Sequence, residues 1–549
     1  MLTLIKLSFG LYDNKMNRTI KLNSFKPYGF EFVILLLWVV TRSAIYFQIP
    51  IYMDEGIVAF YADRALKDPT TRFDVLNQDK GFLPTLIAAW ISGLGFSPFS
   101  AVRIYSLVCS ALTIFTMYRI AKYLFGANSG KLLLLIYTLS PFNLIHDVVG
   151  FLDPGIALVA AVTFYYFIKY IDDKDYRYII IIGLVLGLGT LVRESSYYFI
   201  ILFPLSVLVY EIFVHKTKEI SRIFLHLILL FVIIYPIYSI KKLTPLSYPN
   251  IKPTVENHYL ISDFLLNPLK YLNINVLNYS KVLFGYSALI IFVIMISIFT
   301  FRNLQYKFKI LYIICFFWAS TPIVGALLFA TVPSSRYITS AYPFLILIGC
   351  SIVSAKILRQ PIELIKSRVV QSVFYFFATL TIVQVSFMTI SLQKYVLPGV
   401  DDWQYFRAQQ LSGAGIKQIV NKIESISSTM SKNDNPITVL GINSYNNGIL
   451  AVLLNEKVLF ENRQIDIFGF YDQPLADFDF ILIEEGNVPT YVTLGWPYFE
   501  LLGGEKESQL LPLFLNSQFY DQLNLQHQRV FEYKRPRNGT TIALYYRKL

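Results

Sequence analysis

A chain of 549 residues with 55% hydrophobic and 15% charged residues, and a mean hydropathy of +0.51, carries more apolar surface than one soluble globule can bury; soluble domains hold about 25% charged residues. The net charge of +12 is spread between hydrophobic segments, which excludes a nucleic-acid-binding face and indicates membrane topology. Cys109, Cys315 and Cys350 all lie in apolar runs without a Cys-x-x-Cys spacing, so neither a disulfide framework nor a zinc site is expected.

In chain order, residues 1–29 are polar and basic and lead into an apolar run with no cleavage pattern, so the first helix is expected to be retained. Apolar runs long enough to approach a bilayer crossing follow at residues 30–47, 102–124, 132–145, 155–170, 178–192 and 197–214. They continue at 223–240, 282–301, 310–330, 337–355 and 369–391, giving an α-helical polytopic membrane protein of about eleven transmembrane helices. The run at 82–94 is too short to cross and reads as a juxtamembrane or re-entrant helix in the first outer loop, residues 48–101. With a cytoplasmic N-terminus, the inner segments hold 21 Lys/Arg against 6 Asp/Glu, as the positive-inside rule requires, and the odd count places the C-terminus outside. Beyond Ser391 the pattern changes to helix at 415–426, strand at 437–440, helix, then strand at 478–483, a small outer α/β domain spanning 392–549.

The first outer loop is the acidic exception, with Asp54, Glu55, Asp63, Asp68, Asp74 and Asp79 against four bases. Asp54 and Glu55 follow directly on an apolar span, where partial desolvation makes a carboxylate a better base; the structural alternative is a helix N-cap at Asp54. Asp153, before Pro154 in HDVVGFLDPG, is a second acid on the same side and equally a natural N-cap. His146 and Asp147 lie nearby as weaker candidates. Two converging acids suit a base and its partner, or a divalent cation such as Mg or Mn on oxygen ligands. Lys80, Arg193, Lys241, Lys242, Lys252 and Arg336 break the inner bias of positive charge, and pairing with a phosphate at the outer interface, or with headgroups, explains them. The run GLVLGLG at 183–189 lies inside an apolar helix, where small residues serve helix packing rather than dinucleotide binding. Asp477 and Asp479 form an Asp-x-Asp that precedes its strand and carries little weight as a metal site.

The ordered elements MDEG, QDKGFLP, AVRIYSL, YRIAKYLFG, LSPFNLIHDVVGFLDPG, LGLGTLVRESS and SSRYITSAYP run across about 290 residues. In this order they resemble the dolichyl-phosphate-mannose protein mannosyltransferase-like enzymes of the GT-C superfamily, including the family-39-type relatives that transfer aminoarabinose to lipid A. Gly81 and Phe82 stand where that family has Pro-Pro, and Arg193 where Lys is commoner. The resemblance implies that Asp54 is the general base, with Glu55 beside it in an open role, and Asp153 the second acid of the site. It implies that Lys80, with Asp79 as a candidate metal ligand, sits by the donor phosphate, and that Arg336 helps hold the lipid phosphate; Arg193 joins these as a phosphate-binding cation. The activity expected is transfer of a hexosyl or pentosyl group from a polyprenyl-phosphate sugar, by inversion, to a glycan, lipid or protein acceptor at the outer membrane surface. The competing readings are a secondary transporter or flippase, which places its charges at the bilayer midplane in paired repeats, and a non-catalytic assembly factor acting through the outer domain.

Overall fold

The computed structural model describes residues 29–78, 81–215, 220–240, 267, 269–301, 304–330, 333–351, 368–399, 401, 405–406, 413–427, 439–442, 480–485, 517–534 and 541–548. Asp79, Lys80, Lys241, Lys242, Lys252, Asp477 and Asp479 lie outside the described residues.

The bundle opens with α1 (Gly29–Gln48), whose outer face of Phe32, Val33, Leu35, Leu36, Val39 and Val40 is exposed as a lipid-facing surface would be. The first loop folds into α2 (Met53–Lys67), a 3₁₀ stretch at Pro69–Gln78, and α3 (Phe82–Ser92). At 11 residues α3 is the short helix expected there; it buries Phe82, Ala88 and Ala89 and leaves Trp90 exposed. The long α4 (Pro98–Phe125) follows, started by the Ser97 hydroxyl, which accepts from the Ser100 N–H.

The run expected as one span at 132–145 is two helices, α5 (Ala127–Thr138) and α6 (Pro141–His146). Ser140 and Pro141 cause the break, because proline has no N–H to continue the ladder and the Ser140 hydroxyl caps the new helix on Asn143 N at 3.3 Å. The carbonyls freed at the end of α5 accept from the buried Arg42 of α1, with Nη1 2.5 Å from Thr138 O and Nη2 3.3 Å from Tyr137 O. Arg42 Nε and Nη2 also donate to Asp147 Oδ2 at 3.1 and 3.0 Å, a buried ion pair that ties α1 to the end of α6.

Next come α7 (Asp153–Asp173), α8 (Tyr176–Val192), α9 (Tyr197–Tyr210) with a π turn at Glu211–His215, and α10 (Ile220–Ser239). A Cβ on Gly183 or Gly187 of α8 would stand 3.0 Å from Ile233 or 2.7 Å from Ile237 of α10, so the glycine-rich run is a helix-packing surface. The membrane part closes with α11 (Leu272–Thr300), α12 (Tyr306–Phe329), a 3₁₀ turn at Ser335–Ile338, α13 (Tyr342–Cys350) and α14 (Arg368–Ser391). All eleven expected spans are helical over most of their described lengths, and among the described residues seven helices are long and apolar enough to cross a bilayer.

After α14 come α15 (Ile416–Ser427), β1 (Val439–Ile442), β2 (Phe480–Glu485), α16 (Ser517–Gln526), β3 (His527–Lys534) and β4 (Thr541–Arg547). The first three match the expected elements to within two residues; β3 and β4 were not expected from the sequence. The sheet order is β1-β2-β4-β3, with β1 parallel to β2 and the other pairs antiparallel. Residues 542–546 of β4 are buried on both faces, as an interior strand requires, whereas β3 leaves much of its length exposed at the edge.

Candidate active site

The start of α2 decides where the two acids of the first loop point. Tyr52 is the N-cap residue, and its backbone N–H donates to Glu55 Oε2 at 2.7 Å, so the capping carboxylate is Glu55 three residues on. Asp54 is thereby not the cap of this helix.

Glu55 is 1% exposed and has no acceptor capacity left to spare. Oε1 takes Arg103 Nε at 2.8 Å and the Gly150 N–H at 2.6 Å; Oε2 takes Arg103 Nη2 at 3.0 Å and the Tyr52 N–H. Arg103, on α4, also donates to the carbonyls of Tyr46 at 2.9 Å and Pro50 at 3.0 Å. The Glu55 carboxylate thus fastens the start of α2, α4 and the loop before α7, and its partner Arg103 adds the end of α1.

Asp54 turns the other way, and its Oδ2 accepts from Arg336 Nη1. Arg336 sits on the 3₁₀ turn Ser335–Ile338, its guanidinium over the rings of Phe151 at 5.1 Å, Tyr337 at 5.3 Å and Tyr52 at 5.8 Å. Burial works against its charge, but Asp54, Tyr337, Tyr52 and Asp153 outweigh that and raise its pKa well above the ordinary value. The same surroundings push the Tyr52 hydroxyl up, through burial first, with Arg336 opposing.

Asp153, the first residue of α7 rather than the residue before it, accepts at Oδ1 from Arg193 Nη1 at 2.5 Å. Arg193 ends α8, lies 5.4 Å from the Tyr337 ring centroid and keeps 20% of its side chain exposed. Tyr337 therefore lies against both guanidiniums, and the site is a row of alternating charge, Asp54, Arg336, Asp153 and Arg193, over an aromatic floor. Two of its buried atoms have no hydrogen-bond partner in the described protein: Asp153 Oδ2, an acceptor, and Arg336 Nε, a donor.

Gly81 brings the end of QDKG to this place. A Cβ there would stand 2.3 Å from the Val192 carbonyl oxygen and 3.1 Å from the Leu152 side chain, so the residue fits only as glycine between the neighbours of Arg193 and Asp153. That contact explains the absence of a larger residue at the first position of the expected Pro-Pro. Among the described residues no three His, Cys, Asp or Glu side chains gather as a metal site. A dication between Asp54 and Asp153 would face the guanidiniums that already occupy them, so these donors do not fit one; Asp79 lies outside the described residues.

Reading the sequence missed Arg42, Arg103, Ser335 and Asp401. The two arginines had a signal, since a cation inside an apolar helix marks a buried partner. His146 and Asp147 are placed apart: Asp147 belongs to Arg42, and His146 reaches Ser335 with Nε2 at 2.7 Å.

Residues 79–239 match the family described as dolichyl-phosphate-mannose-protein mannosyltransferase. Among solved structures, the chain is similar to ArnT from Cupriavidus metallidurans bound to undecaprenyl phosphate, with a TM-score of 0.55 and 12% identity over 94% of this chain and 97% of that one. The apo state of the same ArnT gives 0.52 and 13% over the same shares. No curated protein matches the sequence. At these identities the likeness shows the fold, which is the GT-C fold expected from the ordered motifs.

Proposed function

We propose that the chain, whose residues 79–239 match the dolichyl-phosphate-mannose-protein mannosyltransferase family model and whose fold is similar to that of ArnT, transfers a sugar from a polyprenyl-phosphate donor to an acceptor hydroxyl, with inversion. The observation that carries the reading is the buried carboxylate of Asp54 held by Arg336, with the Asp153–Arg193 pair beside it. A donor phosphate competes for Arg336, because guanidinium–phosphate hydrogen bonds are charge-assisted and Nε is unspent. As Arg336 turns to the phosphate, Asp54 is released to act as base.

The acceptor oxygen then attacks the anomeric carbon while its proton passes to Asp54. The bond from that carbon to the phosphate oxygen breaks, and the polyprenyl phosphate leaves with its new charge held by Arg336 and Arg193, joined by Lys80. A single displacement inverts the anomeric centre. Asp153 Oδ2 is free to accept from a hydroxyl or amino group of the sugar. Glu55 acts here as the positioning residue for Asp54, not as a reacting group.

The excess of Lys/Arg in alternate loops supports a cytoplasmic N-terminus, with the site and the C-terminal α/β domain on the extracytoplasmic side. The acceptor class, glycan, lipid or protein, is open to a panel assay. The test uses purified protein in lipid nanodiscs with a panel of polyprenyl-phosphate sugars, following donor consumption and the anomeric configuration of the product. Asp54→Asn is expected to lower turnover by about 10²–10⁴-fold. Near-normal transfer by that variant at equal abundance, or a product of retained configuration, overturns the reading.

A further inference from the structure

Arg336 is held not only by Asp54 but through its neighbour. Ser335 precedes it in the same 3₁₀ turn, and the Ser335 hydroxyl lies 2.5 Å from Asp401 Oδ1 and 2.7 Å from His146 Nε2. Asp401 Oδ2 accepts from the Tyr286 hydroxyl at 2.9 Å. His146 Nδ1 is 2.9 Å from the Phe142 carbonyl. All four side chains are buried, and they come from four separate places in the chain: α6, the 3₁₀ turn, the segment after α14, and α11.

Counting protons makes this a defined device. His146 Nδ1 faces a carbonyl, which only accepts, so Nδ1 carries the ring proton. The single hydroxyl proton of Ser335 cannot serve both Asp401 and His146 Nε2. The row therefore closes only with one further proton, on the imidazole or on the carboxyl. Burial pushes Asp401 up to about 7, against the pull of its bonds to Ser335 and Tyr286, which favours the carboxyl. Protonated Asp401 donates to Ser335 Oγ, Ser335 donates to His146, and no atom of the row is left unmatched.

We propose that Asp401 is a positioning residue for sugar transfer: through Ser335 it fixes the turn that aims Arg336 at the donor phosphate, so that a residue beyond the last membrane helix sets the affinity for the lipid carrier. This rests on the assignment of Arg336 to the phosphate. Asparagine at 401 reproduces the protonated carboxyl, its amide N–H donating to Ser335 and its carbonyl accepting from Tyr286, whereas alanine breaks the row.

The experiment measures binding of polyprenyl phosphate alone, and donor KM and kcat, for the full chain in nanodiscs with Asp401→Ala, Asp401→Asn, Ser335→Ala and Arg336→Ala. Asp401→Ala and Ser335→Ala are each expected to raise Kd and KM about tenfold with a smaller change in kcat, and the double variant to lose little more than either single. Asp401→Asn restores the Kd to near that of the parent. Ser335→Ala removes one oxygen and keeps the test in force should Asp401→Ala fail to fold. Normal binding by Ser335→Ala, a loss in Asp401→Asn as large as in Asp401→Ala, or a fall in kcat with Kd unchanged each overturns the positioning role. Normal binding by Arg336→Ala overturns the phosphate assignment itself, and the positioning role with it; a weakened Arg336→Ala beside normal Asp401 and Ser335 variants removes the positioning role alone.

Discussion

Replacing Glu55 by glutamine keeps the shape of the side chain and changes its hydrogen-bond inventory, which makes it a direct test of what this acid does. The carboxylate accepts four bonds, two on each oxygen. An amide can place its carbonyl on one side only. Its NH₂ then faces either Arg103 Nε and Gly150 N–H or Arg103 Nη2 and Tyr52 N–H, two donors against two donors. Each buried donor left without an acceptor costs about 1–3 kcal/mol, and Arg103 also loses its counter-charge in a place where breaking a buried pair costs about 3–5 kcal/mol. These overlap, so the expected destabilisation is about 3–5 kcal/mol, a fall in Tm of about 3–4 °C for a chain of 549 residues. Thermal melts of the purified protein in detergent, followed by fluorescence-detected size exclusion, read it directly. Arg103→Met should fall similarly, and the double variant by less than the sum, since the two residues share one interaction. A Glu55→Gln protein that melts with the parent yet loses turnover as Asp54→Asn does would refute this reasoning and make Glu55 a reacting group.

Asp401 predicts a pH dependence of stability. Its folded pKa of about 7 lies above its ordinary value of 3.8, so the folded chain binds a proton the unfolded chain releases between those limits. The stabilisation is fully present below pH 3.8, is lost as pH rises through 7, and amounts to no more than about 4 kcal/mol. The groups facing Asp401 are His146 through Ser335 and the tyrosines Tyr52, Tyr279, Tyr286 and Tyr405. Melts of the parent between pH 5 and pH 8, a window of about 3 units, should fall relative to those of Asp401→Asn; parallel curves contradict the assignment. Gly81→Ala should cost about 1–3 kcal/mol and raise the donor KM, because the Val192 carbonyl oxygen that blocks its Cβ is backbone and must shift; an unchanged Tm and KM would show the approach to be slack. Arg42→Met should lower stability by about 3–5 kcal/mol by stranding Asp147, and a second change of Asp147→Leu should recover much of it, both read as Tm.

The helices were legible because length and apolarity are local properties; the break at Ser140-Pro141 was not, because the apolar run continues across it and hides the proline. Asp54, Asp153, Arg193 and Arg336 could be singled out from motif order and from charges that break the inner bias. Their pairing could not, since Asp54 and Arg336 are separated by 282 positions and meet only in the packed bundle. The alternative reading of Asp54 as an N-cap fails because the cap lies at Tyr52, served by the glutamate at the third helical position, a pattern visible as a half capping box. Ser335 and Asp401 had no sequence signal at all: a serine in a turn and an acid after an apolar helix are commonplace, and only their 2.5 Å approach gives them meaning. The strand β4 escaped because an interior strand lacks the alternation that marks a half-exposed one.

The path of the chain after α14 bears on how such proteins can be recombined. Hydropathy changes at Ser391, and a chimera joined there would look natural on paper. Asp401, Tyr405 and Phe406 are buried, the Tyr405 ring lies 5.4 Å from Tyr52 and 6.1 Å from Phe151, and the Gly413 N–H donates to the Ile51 carbonyl at 2.7 Å. A graft at Ser391 would exchange these residues together with the C-terminal domain and leave the Ser335–Ile338 turn without its contact to Asp401. A crossover placed after Gly413 keeps them with the bundle they pack against, so the seam for trading C-terminal domains lies some way downstream of the seam in composition.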